Sequence, residues 1–338
     1  MTMFRPIPAV FYFGVLMSLG NAHSAWAQSN QPSTSGKYTI VIHGGTLGDL
    51  ASINPGHQAA GRETLTKALT IGKQILERDG TSLDAVEQVI RFLEDDPTFN
   101  AGRGAVFNAA GGHELDASIM DGITKQCGAV AGVKTVKNPI SLARLVMLNT
   151  RHVLLAGEGA EQFATEMKVD RVENKYFSTP ARFEEWQKLK AAKQQKSAAA
   201  QEPHKGTVGC VVLDRHGHLA AGTSTGGLTN KMFGRIGDSP IVGAGTYAED
   251  ATCAVSCTGI GEQFIRNAVA YDVAAQMKYQ KRSVKEAVTL IVQQTLKKGD
   301  GGIIAVGADG EFTMQFNTGG MARAVTTSGG VFEVQFGP

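Results

Sequence analysis

No block of like charge runs through this 338-residue chain. Its 33 Lys and Arg stand against 31 Asp and Glu, for a net charge of +2. A basic nucleic-acid footprint is therefore not expected, nor a surface for a strongly acidic partner. Long apolar runs are confined to the first residues, and nothing later is long and apolar enough to cross a bilayer. Cysteine is scarce: Cys127, Cys210, Cys253 and Cys257 are the four. An exported protein can oxidise cysteines, yet each lies in an apolar, strand-like setting. Cys253 and Cys257, four apart on one strand face, stand too far apart to bond. All four read as small buried hydrophobes, with no second ligand cluster to make a metal site. His43, His113, His204, His216 and His218 show no ligand spacing, and "HELD" is not HExxH.

The opening "MTMFRPIPAVFYFGVLMSLGNAHSAWAQ" has Arg5, an apolar run from Ala9 to Leu19, and Ala25-Trp26-Ala27. This is the pattern of a signal peptide, residues 1–27, cleaved after Ala27. The expectation is an exported protein, in a bacterial periplasm, free of the membrane once cleaved. Glycine, by contrast, is abundant, with 41 residues and many adjacent pairs. Such pairs permit positive φ or close backbone approach, most simply in tight turns.

Along the chain, "KYTIVIHGG" (37–45) predicts a strand running into a glycine turn. Leu65, Leu69, Ile71, Ile75 and Leu76 are spaced for a helix closed by Gly80, and Thr81 caps a second one with Asp84 at the capping-box position. Short strands are predicted around Ala105–Phe107, Glu114–Met120 and Cys127–Val133, and a helix from Asn138-Pro139. From about 185 to 206 the chain holds Lys, Gln, Ala and Ser and little to bury. Its first half fits an exposed helix and its second half a flexible linker. Beyond it come a hairpin turned at Asp214–Gly217, the strand "CAVSCTG", the helices "GEQFIRNAVAYDVAAQMKY" and "SVKEAVTLIVQQTLKK", and a hairpin turned at Ala308–Gly310. Strands in runs and helices in pairs predict a layered α+β fold.

The chemistry centres on Gly206-Thr207, which opens an apolar strand directly after the linker. A threonine hydroxyl is a weak nucleophile and needs a base. If the bond before Thr207 were cut, its own amine, with an unperturbed pKa of about 8, would stand beside its own hydroxyl. Gly206 tolerates the strained backbone such a cut needs. Further on, Arg235 suits a bidentate grip on a carboxylate, and Asp238 suits an ammonium. Together they match the charged groups on the α-carbon of an amino acid. Thr258 and Gly259 lie where a strand gives way to a helix, a place suited to an oxyanion. The plainer readings are strand onset, a surface ion pair and a threonine cap.

Taken together, "HKGTVGCVVLD", "AAGTSTGGLTNKMFGRIGDSPIVGAGTYA" and "SCTGIGEQFIR" closely resemble the isoaspartyl peptidase / plant-type L-asparaginase family of N-terminal-nucleophile hydrolases. "VIHGG", "FNAGRGAVF", "HELDASIMDG", "GDGGIIAV" and "FNTGGM" extend the resemblance over nearly all of the chain after the signal, except the linker. It implies a four-layer αββα sandwich, cleaved between Gly206 and Thr207 into an α subunit (28–206) and a β subunit (207–338), and assembled as (αβ)₂. It implies Thr207 as nucleophile, Thr225 as the hydroxyl that tunes it, and Thr258 and Gly259 as the oxyanion site. Arg235 and Asp238 would hold the substrate's α-carboxylate and α-amine, with Gly261 in the same loop and Asn100 near the nucleophile. Catalysis would need no cofactor. The stretch from Leu93 to Gly102 matches a loop whose carbonyls bind sodium in bacterial members, which points to Leu93, Glu94, Phe99 and Gly102; hard cations prefer such oxygens. The implied substrates are L-asparagine and β-aspartyl dipeptides. Ile260 departs from the family, whose members carry a small polar residue between the two glycines. Two other functions remain open. One is glycosylasparaginase, whose members have Asp before the nucleophile where this chain has Gly206. The other is an exported amino-acid-binding protein that is never cut.

Overall fold

The computed structural model describes residues 36–48, 51, 53–194 and 206–338. The expected signal peptide and the linker's second half lie outside them. No helix of the described residues is long and apolar enough to cross a membrane.

The first strand, β1 (Thr39–Leu47), is followed by two helices, α1 (Pro55–Glu77) and α2 (Ser82–Asp95). Then come β2 (Leu115–Asp121), β3 (Cys127–Val133), α3 (Pro139–Asn149), β4 (Leu154–Ala156), α4 (Gly157–Glu166) and α5 (Pro180–Gln194). The second half holds β5 (Val208–Leu213), β6 (Leu219–Thr225), β7 (Thr246–Ala248), β8 (Cys253–Gly259), α6 (Gly261–Arg266), α7 (Val269–Gln280) and α8 (Val284–Leu290). It ends with β9 (Gly301–Gly307), β10 (Phe312–Phe316), β11 (Gly320–Thr327) and β12 (Phe332–Gly337).

One sheet has the order β12-β11-β1-β5-β6-β2-β3-β4, the other β10-β9-β8-β7. Alternation decides the layers. On β1, Ile40 and Ile42 pack with α1 and α2, while Val41 faces the second sheet; on β5, Val208, Cys210 and Val212 face the helices and Val211 and Leu213 the other sheet. α1, α2 and α3 cover the first sheet, α7 and α8 the second. The result is the four-layer αββα sandwich expected, with β5, the strand that follows Thr207, between β1 and β6 inside the larger sheet. β5 is buried on both faces, so it carries apolar residues throughout rather than alternating with polar ones.

The structure corrects several local expectations. β1 does not end in a glycine turn: it continues through Gly44 and Gly45 to Leu47, paired with β11 across a bulge between His43 and Gly45. Residues 105–107 form no strand, because Val106 N–H is taken by the Asn100 side chain (3.0 Å) rather than by a ladder. Thr81 Oγ1 does accept from Asp84 N–H (3.1 Å), but the Asp84 carboxylate is drawn away to Arg144 (2.7 Å), so the box is not reciprocal. The long apolar helix predicted from 261 breaks at Ala268, which takes φ +47°. The break lets the first N–H groups of α7 reach the Gly243 and Ala244 carbonyls at 2.9 and 3.2 Å. Residues 185–194 are helical, as the first half of that stretch was expected to be, but they do bury something: Trp186 stacks on Phe107 with ring centroids 5.6 Å apart. All four cysteines are free, three of them buried.

Candidate active site

Thr207 stands at the entrance of β5, and its surroundings converge on the carbonyl before it. The Gly206 oxygen lies 2.7 Å from Thr207 Oγ1, 2.9 Å from Asn100 Nδ2 and 3.2 Å from Thr225 Oγ1. Asn100 is fixed on every side. Its second N–H donates to Gly227 O (2.7 Å), and its Oδ1 accepts from Val106 N–H (3.0 Å). Thr225 ends β6 beside Thr207, 3.1 Å from Thr207 Oγ1, and accepts from Gly227 N–H at 3.0 Å. Gly45 closes the other side at φ +102°, and a Cβ there would stand 2.8 Å from Gly206 Cα and 2.9 Å from Thr207 N. Only glycine combines that backbone with that approach.

Thr258 ends β8 on the face turned toward the first sheet, the face from which Ser256 reaches Thr223 Oγ1 at 2.7 Å. It is fully buried, and its hydroxyl has no hydrogen-bond partner among the described residues. Thr258 does not cap α6, whose N-cap is Ile260 without a side-chain bond. The Ile260 N–H is taken by Asp300 O at 2.7 Å. A buried unpaired hydroxyl is costly to leave idle, and a developing oxyanion would give it a partner.

Arg235, Asp238 and Gly261 form a second cluster. A Cβ on Gly261 would come 2.8 Å from Arg235 Nη2 and 2.9 Å from Asp238 Oδ1, so the glycine lets both groups crowd one spot. Asp238 is buried with Oδ2 unpartnered among the described residues, and burial pushes its carboxyl up to about 7. Arg235 is already paired: Glu262 in α6 grips it through Nε (3.0 Å) and Nη2 (2.9 Å). This hydrogen-bonded pairing holds the Glu262 carboxyl below its usual value. Behind Gly227 lies Lys231, 3.9 Å from Asp116 and donating to Glu114 O at 3.0 Å. Burial raises the Asp116 carboxyl and lowers the Lys231 ammonium, so at this separation it outweighs their attraction.

Of the loop from Leu93 to Gly102, the carbonyls of Glu94, Pro97 and Phe99 turn toward the turn at 102–104. A Cβ on Gly102 would collide with Glu94 O, and one on Gly104 with Phe99 O, with Pro97 O 2.8 Å away. These are hard oxygen donors, and Glu94 lies in the last turn of α2, where carbonyls lack helical partners. Among the described residues no group of His, Cys, Asp or Glu side chains is arranged to hold a metal.

Sequence reasoning missed Glu262, Lys231 and the side chain of Glu94. The Glu94 carboxyl is fully buried, accepts from Ser224 Oγ (2.7 Å) and Ile140 N–H (3.0 Å), and is pushed up to about 8 by burial. A signal was present. Glu94 falls on the buried stripe of α2, four residues after Ile90, where an acid is out of place.

A four-layer α+β sandwich with a buried threonine opening an inner strand is a fold of the N-terminal-nucleophile hydrolase type. The sequence profile of the family described as asparaginase matches residues 36–336, and the chain belongs to that family. It is 48% identical to an isoaspartyl peptidase of Salmonella typhimurium, over 85% of this chain and 95% of that protein. It is 45% identical to a probable isoaspartyl peptidase/L-asparaginase 2 of Arabidopsis thaliana, over 88% and 98%. With the Homo sapiens isoaspartyl peptidase/L-asparaginase it shares 40% identity, over 86% and 93%.

Proposed function

We propose that this chain is a self-cleaving amidohydrolase that acts on L-asparagine and β-aspartyl dipeptides with Thr207 as nucleophile. The observation that carries the reading is the trio of donors around the Gly206 carbonyl. In the intact chain, Asn100 and Thr225 polarise that carbonyl. Thr207 Oγ attacks its carbon, the C–N bond to Thr207 breaks, and water hydrolyses the resulting ester. Gly206 leaves as a carboxylate, and Thr207 gains a free amine. In the cut enzyme that amine takes the proton from Oγ as the hydroxyl attacks the substrate's side-chain amide. The oxyanion forms at Thr258 and Gly259. Ammonia or an amino acid departs, and water releases aspartate. Arg235, held by Glu262, receives the α-carboxylate, and Asp238 the α-ammonium, so only a free amino-acid end is accepted. Carbonyls of Leu93, Glu94, Phe99 and Gly102 would hold a sodium ion that braces the segment carrying Asn100. The cut protein is an exported (αβ)₂ assembly.

The test is direct. Purified protein yields two bands on a denaturing gel, with Thr-Val-Gly as a new terminus by mass spectrometry, and releases ammonia from asparagine. Turnover of β-aspartyl-leucine against glycosylated asparagine decides between this activity and glycosylasparaginase, and a single uncut band in active protein overturns the nucleophile.

Two variants probe separate parts. Thr258→Val removes a hydroxyl with no hydrogen-bond partner among the described residues, so the thermal midpoint is expected to stay level or rise, while kcat falls by about 10²–10³. Calorimetry beside initial rates checks both. Gly45→Ala places a Cβ against Gly206 Cα at φ +102°. It is expected to slow or block cleavage, read as persistence of the uncut band over time.

A further inference from the structure

His43 is fully buried between the sheets, with Nδ1 3.0 Å from Thr207 O and Nε2 3.0 Å from Ser256 Oγ. A carbonyl only accepts, so Nδ1 carries the proton and Nε2 must accept from the Ser256 hydroxyl. That commits Ser256's single proton, so in its 2.7 Å contact with Thr223 Oγ1 the threonine donates, in preference to the more distant Gly245 O at 3.1 Å, which Cys257 N–H already serves at 2.9 Å. Thr246 in turn donates to Thr223 at 2.6 Å, and Ser118 Oγ lies 2.8 Å from Thr246 Oγ1 and 2.6 Å from Ser239 O. His43, Ser256, Thr223, Thr246 and Ser118 are all 0% exposed. From Thr246 through Thr223, Ser256 and His43 the hydrogen bonds run one way, toward the Thr207 carbonyl, while Ser118 ends the chain by donating to Ser239 O. Burial lowers the His43 ring to about 3, which keeps it neutral in this tautomer. Gly209, opposite His43 in the β1–β5 register, makes the room: a Cβ there would collide with both Ser256 Oγ and His43 Nε2.

Each link touches a site element. Thr207 is the nucleophile itself. Ser256 lies two residues before Thr258 on the same face of β8, Thr223 two before Thr225 on β6, and Ser239 follows Asp238. Between apolar faces the two sheets would tolerate small sliding; a buried, directional chain of hydrogen bonds has one register. We propose that His43 is a positioning residue, heading a buried hydroxyl relay that holds the Thr207 end of the first sheet in register with the oxyanion strand and the amine-binding loop of the second. The inference rests on the reading of Thr207 as nucleophile.

The experiment compares His43→Leu with His43→Asn, and Thr223→Val with Thr223→Ser, on cleaved enzyme with asparagine. It adds ¹⁵N NMR of histidine-labelled wild type. In His43→Asn the amide N–H reaches the place of Nδ1–H and still donates to Thr207 O. The Leu variant is expected to lose about 100-fold in kcat with KM within about twofold, because Arg235, Asp238 and Glu262 are untouched. Asn should recover at least about tenfold of that loss, and Thr223→Ser should exceed Thr223→Val by a similar factor. The NMR spectrum should show His43 protonated on Nδ1 alone from pH 5 to 9. A proton on Nε2, an unchanged kcat in His43→Leu, a KM that rises in step with the kcat loss, or equal loss in the Leu and Asn variants overturns the inference. If His43→Leu does not fold, the Thr223 pair and the NMR tautomer decide. Wild type without a Thr-Val-Gly terminus overturns the nucleophile reading and this inference with it; cleaved, active wild type beside an unaffected His43→Leu overturns this inference alone.

Discussion

Thr207→Ala is expected to give one intact polypeptide with no measurable hydrolysis of asparagine or β-aspartyl dipeptides, a loss of at least about a thousandfold. The substitution removes the attacking hydroxyl from both reactions, and without the first the amine base never forms. Folding should survive. The hydroxyl's contacts are to Gly206 O and Thr225 Oγ1, and the Gly206 carbonyl keeps Asn100 and Thr225 as donors. A denaturing gel and a thermal melt on the same sample separate loss of chemistry from loss of fold. Two bands from Thr207→Ala would mean that the chain is cut by another group. Thr207→Ser, which keeps a hydroxyl, should still be cut, more slowly.

The second large effect concerns substrate capture. Arg235→Ala removes the cation that Glu262 holds through two bonds and leaves Glu262 and the buried Asp238 without it. The expected loss is about 2–5 kcal/mol of binding, or roughly 30-fold or more in KM. Cleavage of the chain should be unaffected, since the groups around Gly206 do not include Arg235. The partner residue carries a pH signature. Burial raises the Asp238 carboxyl to about 7, so below that pH the free enzyme holds it protonated. An α-ammonium needs the carboxylate, so binding below pH 7 must first expel a proton. KM is therefore expected to rise about tenfold per pH unit as pH falls below 7 and to be flat above it. Asp238→Asn should show a high KM with that dependence gone. Initial rates from pH 5 to 9 in both proteins check the sign.

Much of the fold was legible. The apolar run after Gly206, the hairpins at Asp214–Gly217 and Ala308–Gly310, and the helices from Asn138-Pro139 and Ser283 all depend on neighbours within a few residues, and the structure keeps them. The helix predicted across 261–279 failed at Ala268, because nothing local marks the break. The carbonyls of Gly243 and Ala244 impose it from a loop that packs against α7 only in the folded chain. β1 ran on through Gly44-Gly45 for a similar reason: β11, nearly three hundred residues away, supplies the ladder.

The site divides along the same line. Sequence by itself determined which residue types are present and in what order: a glycine-threonine junction, two further threonines at strand ends, an arginine three residues before an aspartate. Spacing and residue chemistry are short-range properties, and they survive in a linear string. Tertiary structure alone decided that Asn100 meets the Gly206 carbonyl, that Glu262 grips Arg235, that Glu94 is buried, and that His43 joins Thr207 to Ser256. These contacts link residues from 27 to 213 positions apart. They exist only because helices, loops and two sheets, each ordered by its own short-range pattern, are packed against one another, and no local pattern encodes which polar groups then meet.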